Sequence, residues 1–351
     1  WRGGNWEFFQ DDVTPVVEIF SEHGCTETDT APFPMIRHSN GGRSTANTIM
    51  RQLKQGLRFG FVASTDDHLG YPGAYGEGVL GVWAAGLSRK ELFSAIRARR
   101  TYAATGDRIV LEVTLNKEPM GSQLPATGER EIDVRVVGQD SIASIELIRN
   151  GRVIERHFPE DHAAEVTLPG RAKCRIQYRL GSWAALDLGR ICYSFMTINL
   201  ENGRFLRSLP CFQAAPFDEE RRDRLQIVSE TELRLQSATT RVQCVGEDPT
   251  KSLVLEIEAE PDAVLSLELQ QPAEQSLSAP LEGLVQDNVI EFTGPFTSES
   301  FVVGRLISPS EYSAQVRWTD QGSGDDGPDW YYVRVKQHNG HMAWSSPIWV
   351  G

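Results

Sequence analysis

The chain has 351 residues, of which 40% are hydrophobic and 24% are charged. This is the composition of a globular protein with enough apolar residues for a core, and it excludes the disordered and collagen-like classes. The chain carries 48 acidic and 35 basic residues and a net charge of −13. A nucleic-acid binder needs a basic face, so we expect no nucleic-acid partner.

No apolar run approaches the roughly 18 residues that a membrane-spanning helix requires, so we expect a soluble protein with no membrane partner. The first residue is Trp1 rather than Met, and no segment with the pattern of a signal peptide follows it. We therefore expect that the chain is a cleaved product or an engineered fragment of a longer protein. The five cysteines show no C-x-x-C spacing, which argues against a zinc ribbon.

Residues 1–108 alternate between strand-like and helix-like patterns. Val16–Phe20 and Phe59–Ser64 are short apolar runs typical of buried strands. Ser44 is a candidate N-cap for a helix that ends near Gln55, and Ser88 opens a capping box with Glu91. Strands of this kind, alternating with helices, indicate parallel α/β architecture, in which functional groups lie at the carboxyl ends of the strands.

The period changes near residue 109. Apolar and polar residues then alternate along most runs, and Asn150-Gly151 and Asn339-Gly340 mark two hairpin turns. We interpret 109–351 as an antiparallel β-sandwich region with a possible internal boundary near 216–226. The predicted fold class is thus α/β plus all-β.

The segment after the second buried strand has the composition of a metal site. In an extended backbone, Asp66 and His68 project to the same side, about 6–7 Å apart. A carboxylate and an imidazole on one face suit a divalent ion such as Zn, Mn or Fe. The alternative is that Asp66 caps the loop and His68 binds a backbone carbonyl.

A second polar cluster follows the first strand. Glu18 interrupts an apolar run, and a buried carboxylate needs a cation or a metal as partner. Ser21, Glu22, His23 and Glu27 come next in the chain. The two strands should be neighbours, so Glu18 and His23 become candidate metal ligands, although a solvated loop histidine is the alternative for His23.

Three arginines, Arg97, Arg99 and Arg100, close the second predicted helix. Cations in a last turn favour the helix dipole. The functional alternative is that one of them, for which we name Arg100, holds a phosphate or carboxylate.

Two features of the β region also allow a functional interpretation. An acidic Gly-rich loop could bind calcium, but its spacing is not that of an EF-hand and a solvated hairpin tip is the favoured interpretation; its acids are Asp320, Asp325, Asp326 and Asp329. The C-terminal aromatics could stack on sugars, although sandwich core is the simpler interpretation; they are Trp318, Trp330, Tyr331, Tyr332, Trp344 and Trp349.

Three segments resemble the closing motifs of PHP-type (polymerase and histidinol phosphatase) metal-dependent hydrolases of a branch with an appended β-sandwich. They are Val17–Gly24, Ala63–Gly73 and Ala98–Asp107. The resemblance implies a β/α barrel that holds divalent metal ions and hydrolyses phosphoesters or similar esters through metal-activated water. It places Asp66, His68, Glu18 and His23 at the metals, and we expect His23 and Arg100 to serve in catalysis.

The resemblance also has a gap, because the opening H-x-H pair of that family has no counterpart here. We therefore expect residues 1–108 to be the C-terminal part of a barrel, with the N-terminal part as a missing partner. On this hypothesis the metal site is incomplete, and the isolated chain is weakly active or inactive on a small anionic or ester substrate. The alternative function is a carbohydrate- or protein-binding β-sandwich with 1–108 as scaffold.

Overall fold

The computed structural model of the protein describes residues 5–33, 45–68, 73–180, 191–212, 223–240, 249–293, 300–324 and 327–351. The strands of these residues are β1 (Val16–Ser21), β2 (Gly24–Cys25), β3 (Gly60–Ala63), β4 (Val79–Val82), β5 (Thr101–Ala104), β6 (Val110–Leu115), β7 (Glu118–Pro119), β8 (Gln123–Leu124), β9 (Arg130–Val137), β10 (Ile142–Arg149), β11 (Arg152–His157), β12 (Gly170–Arg179), β13 (Ile191–Cys211), β14 (Arg224–Ile227), β15 (Glu232–Thr240), β16 (Lys251–Gln271), β17 (Gln275–Pro280), β18 (Val289–Phe292), β19 (Ser300–Val303), β20 (Ser313–Asp320), β21 (Asp329–Gln337), β22 (Met342–Ser345) and β23 (Ile348–Val350). The helices are α1 (Ile49–Lys54), α2 (Arg89–Arg97), α3 (Leu281–Gln286) and α4 (Pro309–Tyr312), with short 3₁₀ turns at Trp6–Phe8, Thr45–Asn47 and Pro159–His162.

The chain forms two compact units. The first contains residues 1–162 and 312–351, and the second contains residues 163–311. The units therefore do not separate near residue 108, where the sequence analysis places a boundary. The sequence analysis also expects a boundary near 216–226. Residues 213–222 lie outside the described residues, and β14, which follows them, pairs with β15 inside the second unit. Across the described helices, none has both the length and the apolar character to cross a membrane.

The first unit is built from three sheets of described strands. A small sheet has the order β2-β1-β3, in which β1 and β3 are parallel. A central sheet has the order β11-β10-β21-β22-β5-β4, and β23 joins it to β8. An outer sheet has the order β20-β9-β6-β7.

The middle strands of the central sheet, including β21, are buried on both faces. Along β21, Trp330 and Tyr332 join the aromatic core that also contains Phe20 and Phe61 from the small sheet. Tyr331 and its alternate neighbours face a second core, shared with the outer sheet. The side chains of a strand alternate between faces, so β21 joins the three layers.

The β/α-barrel part of the predicted fold class is wrong. Parallel pairing among the described strands is limited to β1 with β3 and β8 with β23, and β5 pairs antiparallel with both β4 and β22. The error has a physical cause. Aromatic residues of the antiparallel strands β21 and β22 cover β1 and β3, and this burial gives the continuous apolar runs that are otherwise typical of parallel sheets covered by helices.

Several local predictions are confirmed. Ser88 and Glu91 form the capping box at the start of α2. Asn150 and Gly151 both have positive φ, as a two-residue type I′ turn requires, and they connect β10 to β11. The first helix instead starts after Thr48, whose hydroxyl accepts a hydrogen bond from the Arg51 N–H. The predicted cap, Ser44, lies outside the described residues.

The second unit is one antiparallel sheet of described strands, with the order β14-β15-β13-β16-β12-β19-β18 and β17 paired to β16. Its two longest strands, β13 and β16, span 21 residues each and contain register shifts. The Tyr178 hydroxyl on β12 donates to the Ser237 hydroxyl on β15 at 2.9 Å. These strands are not neighbours in the sheet, so the sheet folds over its own apolar face, which the bulges permit.

A buried carboxylate connects the small sheet of the first unit to the central one. Glu27 follows β2 and is fully buried. It accepts hydrogen bonds from the Tyr332 hydroxyl at 2.5 Å, from Arg334 at 2.9 Å and from the Trp344 indole N–H at 2.9 Å. Arg334 also donates to Glu146 at 2.6 Å. Burial, with Glu27 close by, raises the pKa of Tyr332 well above its usual value.

We expect Glu27→Gln to lower the free energy of unfolding by roughly 2–4 kcal/mol, because it removes one partner of a buried ion pair. Urea denaturation followed by tryptophan fluorescence measures the change. Glu155→Gln, on the exposed side of β11, is the matched control and should stay within about 0.5 kcal/mol of the wild type. Equal stability of the two variants would show that the Glu27 contacts do not hold the layers together.

Two acids of the Gly-rich loop also have structural partners. Arg149 donates to both carboxylate oxygens of Asp320 at 2.7 Å. Asp329 is buried and accepts hydrogen bonds from Arg130 and Asn150. The other two acids, Asp325 and Asp326, lie outside the described residues. The carboxylates of both described acids are therefore paired with arginines, which argues against calcium binding by Asp320 and Asp329.

We expect the stability of the wild type to depend on Asp329 below pH 4. Burial alone would raise the pKa of Asp329, but hydrogen bonds from Ser323, Arg130 and Asn150 outweigh it and lower the pKa to about 2. A depressed folded-state pKa stabilises the fold above the unfolded value near 4, and this stabilisation, roughly 2 kcal/mol, is lost as the pH falls toward 2.

Unfolding of the wild type and of Asp329→Asn, measured between pH 7 and pH 2, tests this dependence. The stability difference between the two proteins should be largest at pH 7 and should shrink below pH 4. A difference that does not change with pH would contradict it.

Candidate metal site

The site is built on the tight turn between β1 and β2. Ser21 pairs with Gly24, so Glu22 and His23 are the two residues of the turn. Gly24 has a φ of 124°, a conformation that favours glycine. The turn presents both functional side chains at the end of the small sheet.

The segment after β3 lies beside this turn because β1 and β3 are parallel. Phe20 is in register with Ala63, and the Glu22 N–H donates to the Thr65 carbonyl at 3.1 Å. The carboxyl ends of the two strands are thus neighbours, as the sequence analysis expects.

Asp66 and His68 approach each other by a turn and not along an extended strand. The strand ends at Ala63, and Asp66 has a φ of 50°. One Asp66 oxygen, Oδ1, lies 3.7 Å from His68 Nε2. The extended backbone that the sequence analysis assumed is therefore not present here, because Asp66 takes the left-handed conformation.

Four side chains converge at this point. His23 Nε2 lies 3.1 Å from His68 Nε2 and 3.0 Å from Asp66 Oδ2. Glu22 Oε1 lies 3.6 Å from His23 Nε2 and 3.8 Å from His68 Nε2. Glu22, His23 and His68 each offer one ligand atom, and the three atoms lie within 4.8 Å of one another. Asp66 contacts both histidines but is not one of these three residues.

The separations match those of a coordination shell. Bonds of about 2.0–2.2 Å in a tetrahedral site place neighbouring ligand atoms about 3.3–3.6 Å apart. The observed distances among the ligand atoms of Glu22, His23 and His68 run from 3.1 to 3.8 Å, and Asp66 lies outside this group of three. Nitrogen and carboxylate ligands together suit Zn, Mn or Fe better than calcium or magnesium.

The four side chains of the cluster differ in their exposure to solvent. The Glu22 side chain is 12% exposed, whereas those of Asp66 and His68 are 47% and 65% exposed. Within the described chain, no lysine or arginine pairs with Asp66, whose charged contacts are the two histidines. The cluster is thus anchored on the turn side and open to solvent on the Asp66 side.

Glu18 lies next to the cluster and outside the group of three. Its carboxylate accepts a hydrogen bond from the Ser64 hydroxyl. Burial raises the pKa of Glu18, with hydrogen bonds from Ser64 and Ser21 acting in the opposite direction. The interpretation that Glu18 requires a metal is therefore weakened, since hydroxyl groups satisfy it in part. Glu27, in the same sequence cluster, turns away to Arg334.

Arg100 is not brought to this cluster. It precedes β5 and lines a hollow beside α2, and its carbonyl accepts a hydrogen bond from the Trp83 N–H. The neighbouring Thr101 and Arg99 flank Gly60, at the start of β3. Asp66 follows the other end of that strand, so Arg100 does not face the proposed ligands.

Sequence reasoning missed Glu22 as a ligand and favoured Glu18 instead. The sequence signal for Glu22 was its position. Glu22 and His23 directly follow an apolar strand and precede Gly24, so they are the two residues of a tight hairpin turn. The C-terminal aromatics offer no sugar-stacking face: Trp330, Tyr331, Tyr332, Trp344 and Trp349 are buried, and Trp318 packs against the core between the central and outer sheets.

Comparison with known proteins gives a limited match. Residues 73–116 match the family described as protein of unknown function (DUF3604). An uncharacterized protein of Chlamydia pneumoniae is 34% identical over 179 residues, which cover 46% of this chain and 28% of that protein. A protein of Chlamydia trachomatis, likewise uncharacterized, is 34% identical over 180 residues, 46% of this chain and 29% of its own length. The chain therefore spans less than a third of these relatives.

A search of solved structures finds the major pilin subunit BcpA of Bacillus cereus. It is 8% identical, covers 71% of this chain and 66% of its own, and has a TM-score of 0.14, too low to carry an argument. The matched family is described only as one of unknown function, and the described fold is mostly β with open sheets rather than a β/α barrel. The expected resemblance to PHP-type hydrolases was therefore wrong.

Proposed function

We propose that Glu22, His23, Asp66 and His68 bind a divalent metal ion, and that the protein uses it to hydrolyse an ester, either a phosphoester or a similar ester. The observation that carries the proposal is the 3.1 Å separation of the two Nε2 atoms, with carboxylate oxygens beside both of them.

The ligand chemistry supports a transition metal. Two neutral imidazoles that direct Nε2 to one point can both coordinate an ion if each carries its proton on Nδ1. The carboxylates of Glu22 and Asp66 then offset the charge of the ion. A bound ion of this class lowers the pKa of coordinated water to about 7 and so supplies a nucleophile at neutral pH.

The four residues have distinct roles in this proposal. Glu22, whose side chain is mostly enclosed on the turn, and the two histidines hold the ion. Asp66 is exposed and touches both histidines, so it can complete the shell or accept a proton from coordinated water. Glu18 binds Ser64 and fixes the backbone that leads to Asp66.

The substrate class follows from the local charge. The described residues around the cluster contribute carboxylates and no arginine or lysine, so an anionic oxygen of the substrate would be met by the metal ion. A neutral or singly charged ester, placed at the open Asp66 side, fits this arrangement best, because the carboxylates repel further negative charge. Arg100 has no part in it.

We expect the metal-stripped chain to bind one Zn²⁺ or Mn²⁺ ion with loss of affinity in His23→Ala and in His68→Ala. Each variant removes a ligand, so the loss should exceed the roughly 10–100-fold that removal of an outer-shell partner costs. Equilibrium dialysis with elemental analysis measures the stoichiometry and the affinity.

His338→Ala is the matched control for metal binding. His338 is an exposed histidine of the first unit that contacts Glu160 and Ser141 and lies outside the cluster. Its variant should bind metal like the wild type. Equal binding by His23→Ala and the wild type would rule out the site.

We expect slow hydrolysis of p-nitrophenyl phosphate or of its diester that depends on added Mn²⁺ or Zn²⁺. Chelation should abolish the release of p-nitrophenol, since the metal supplies the nucleophile. His23→Ala should abolish it too, and Arg100→Ala should leave it unchanged. Turnover that survives chelation, or that is equal in His23→Ala, would contradict the proposed hydrolysis but not the metal site.

A further inference from the structure

A separate hollow of about 360 Å³ lies at the opposite end of β3 from the proposed metal site. It is lined by Asp11, Asp12, Pro15, Arg97, Arg99 and Gln123. A Cβ added at Gly60, the first residue of β3, would lie 2.9 Å from the Cβ of Arg99. Gly60 and Ala63, the two ends of β3, are about 10 Å apart along the strand. The metal cluster follows Ala63, so the hollow beside Gly60 is distinct from it.

Arg99 stands where a helix normally ends with glycine. Its N–H donates to the Ile96 carbonyl and the Arg100 N–H donates to the Ala95 carbonyl, which is the Schellman pattern after α2. Arg99 takes the left-handed position of this motif, with a φ of 59°. The turn itself favours glycine, so the presence of arginine is explained by contacts of its side chain.

The Arg99 guanidinium is held in place, but its Nε atom has no acceptor and its one ion pair is long. Its side chain is only 12% exposed, and the buried Nε has no hydrogen-bond partner. The guanidinium carbon lies 5.8 Å from the centre of the buried Trp349 ring. Its nearest carboxylate, Asp11, stays 3.6 Å from Nη2, beyond hydrogen-bonding distance, and its side chain is 57% exposed.

A second guanidinium lies close to the first. Burial lowers the pKa of Arg99, and the nearby charge of Arg58 acts in the same direction while Asp11 opposes it. Arg58 donates to the Gln123 side chain, which lines the hollow. No described carboxylate forms an ion pair with Arg58. Arg99 therefore has one long ion pair, with Asp11, and Arg58 has an amide partner at the edge of the hollow.

We propose that this hollow binds a phosphate-type oxyanion, as a phosphate ion or a phosphomonoester group, through Arg99 and Arg97, the two arginines that line it, with the oxyanion taking the place of the long Asp11 contact. The planar guanidinium forms paired hydrogen bonds with such oxygens, which supply the acceptors that Asp11 does not reach. Trp349 beneath Arg99 fixes the group before the anion binds. The hollow exceeds the size of a phosphate ion and leaves room for the molecule that carries it.

Titration with inorganic phosphate tests the site, with binding followed by isothermal calorimetry and by ³¹P line width at constant ionic strength. The wild type should bind saturably, and Arg99→Gln should weaken binding by about tenfold or more. Arg99→Lys keeps the charge but loses the planar fork, so it should also bind more weakly. Circular dichroism establishes that each variant is folded, and Arg99→Lys serves if Arg99→Gln does not fold.

Arg89→Gln is the matched control, because Arg89 is an exposed arginine at the other end of α2. It should bind phosphate like the wild type. Absence of saturable binding, or equal phosphate binding by Arg99→Gln and the wild type, would overturn the proposal. Acetate that binds as tightly as phosphate would overturn the assignment to phosphates. Chelation of metals should leave phosphate binding unchanged, which separates this site from the metal cluster.

Discussion

The buried Glu27 carboxylate is the constraint on which the first unit depends. A fully buried charge is tolerated only when its partners are complete, and Glu27 has Arg334, Tyr332 and Trp344. These three residues belong to β21 and β22, whereas Glu27 follows the hairpin that carries Glu22 and His23. The ion pair therefore fixes the hairpin on the aromatic face of the central sheet and sets the position of the proposed ligands.

The need to cover the apolar face of the small sheet explains why the barrel prediction failed. A short parallel pair such as β1–β3 is not stable with an uncovered apolar face. Periodicity correctly indicates the strands and the capping box of α2, because these depend on neighbours in sequence. It cannot indicate that β21–β23, more than 260 residues after β3, cover that face with aromatic side chains. Burial on both faces looks the same in sequence whether the cover is a helix layer or a second sheet.

The proposed metal site was predictable in part for the same reason. Two parallel strands end side by side, so the polar residues that follow them must meet, and sequence alone brings His23 near Asp66 and His68. The choice between Glu18 and Glu22 depends on which side of the strand end each residue faces. The tight turn directs Glu22 outward beside His23, whereas Glu18 turns to Ser64. Likewise, the Schellman ending of α2, and not residue type, distinguishes Arg99 from Arg100.

The location of the cluster also has an energetic consequence. Its ligands come from two loops that are joined by the Glu22–Thr65 backbone hydrogen bond and by contacts among the ligands themselves. An ion bound to Glu22, His23 and His68 would cross-link these loops, and a ligand that binds only the folded state stabilises it by mass action. The Glu27 network attaches the hairpin that carries Glu22 and His23 to the central sheet, so ion binding would mainly order the segment that carries Asp66 and His68. Preorganisation of one half of the shell lowers the entropic cost of forming the other half.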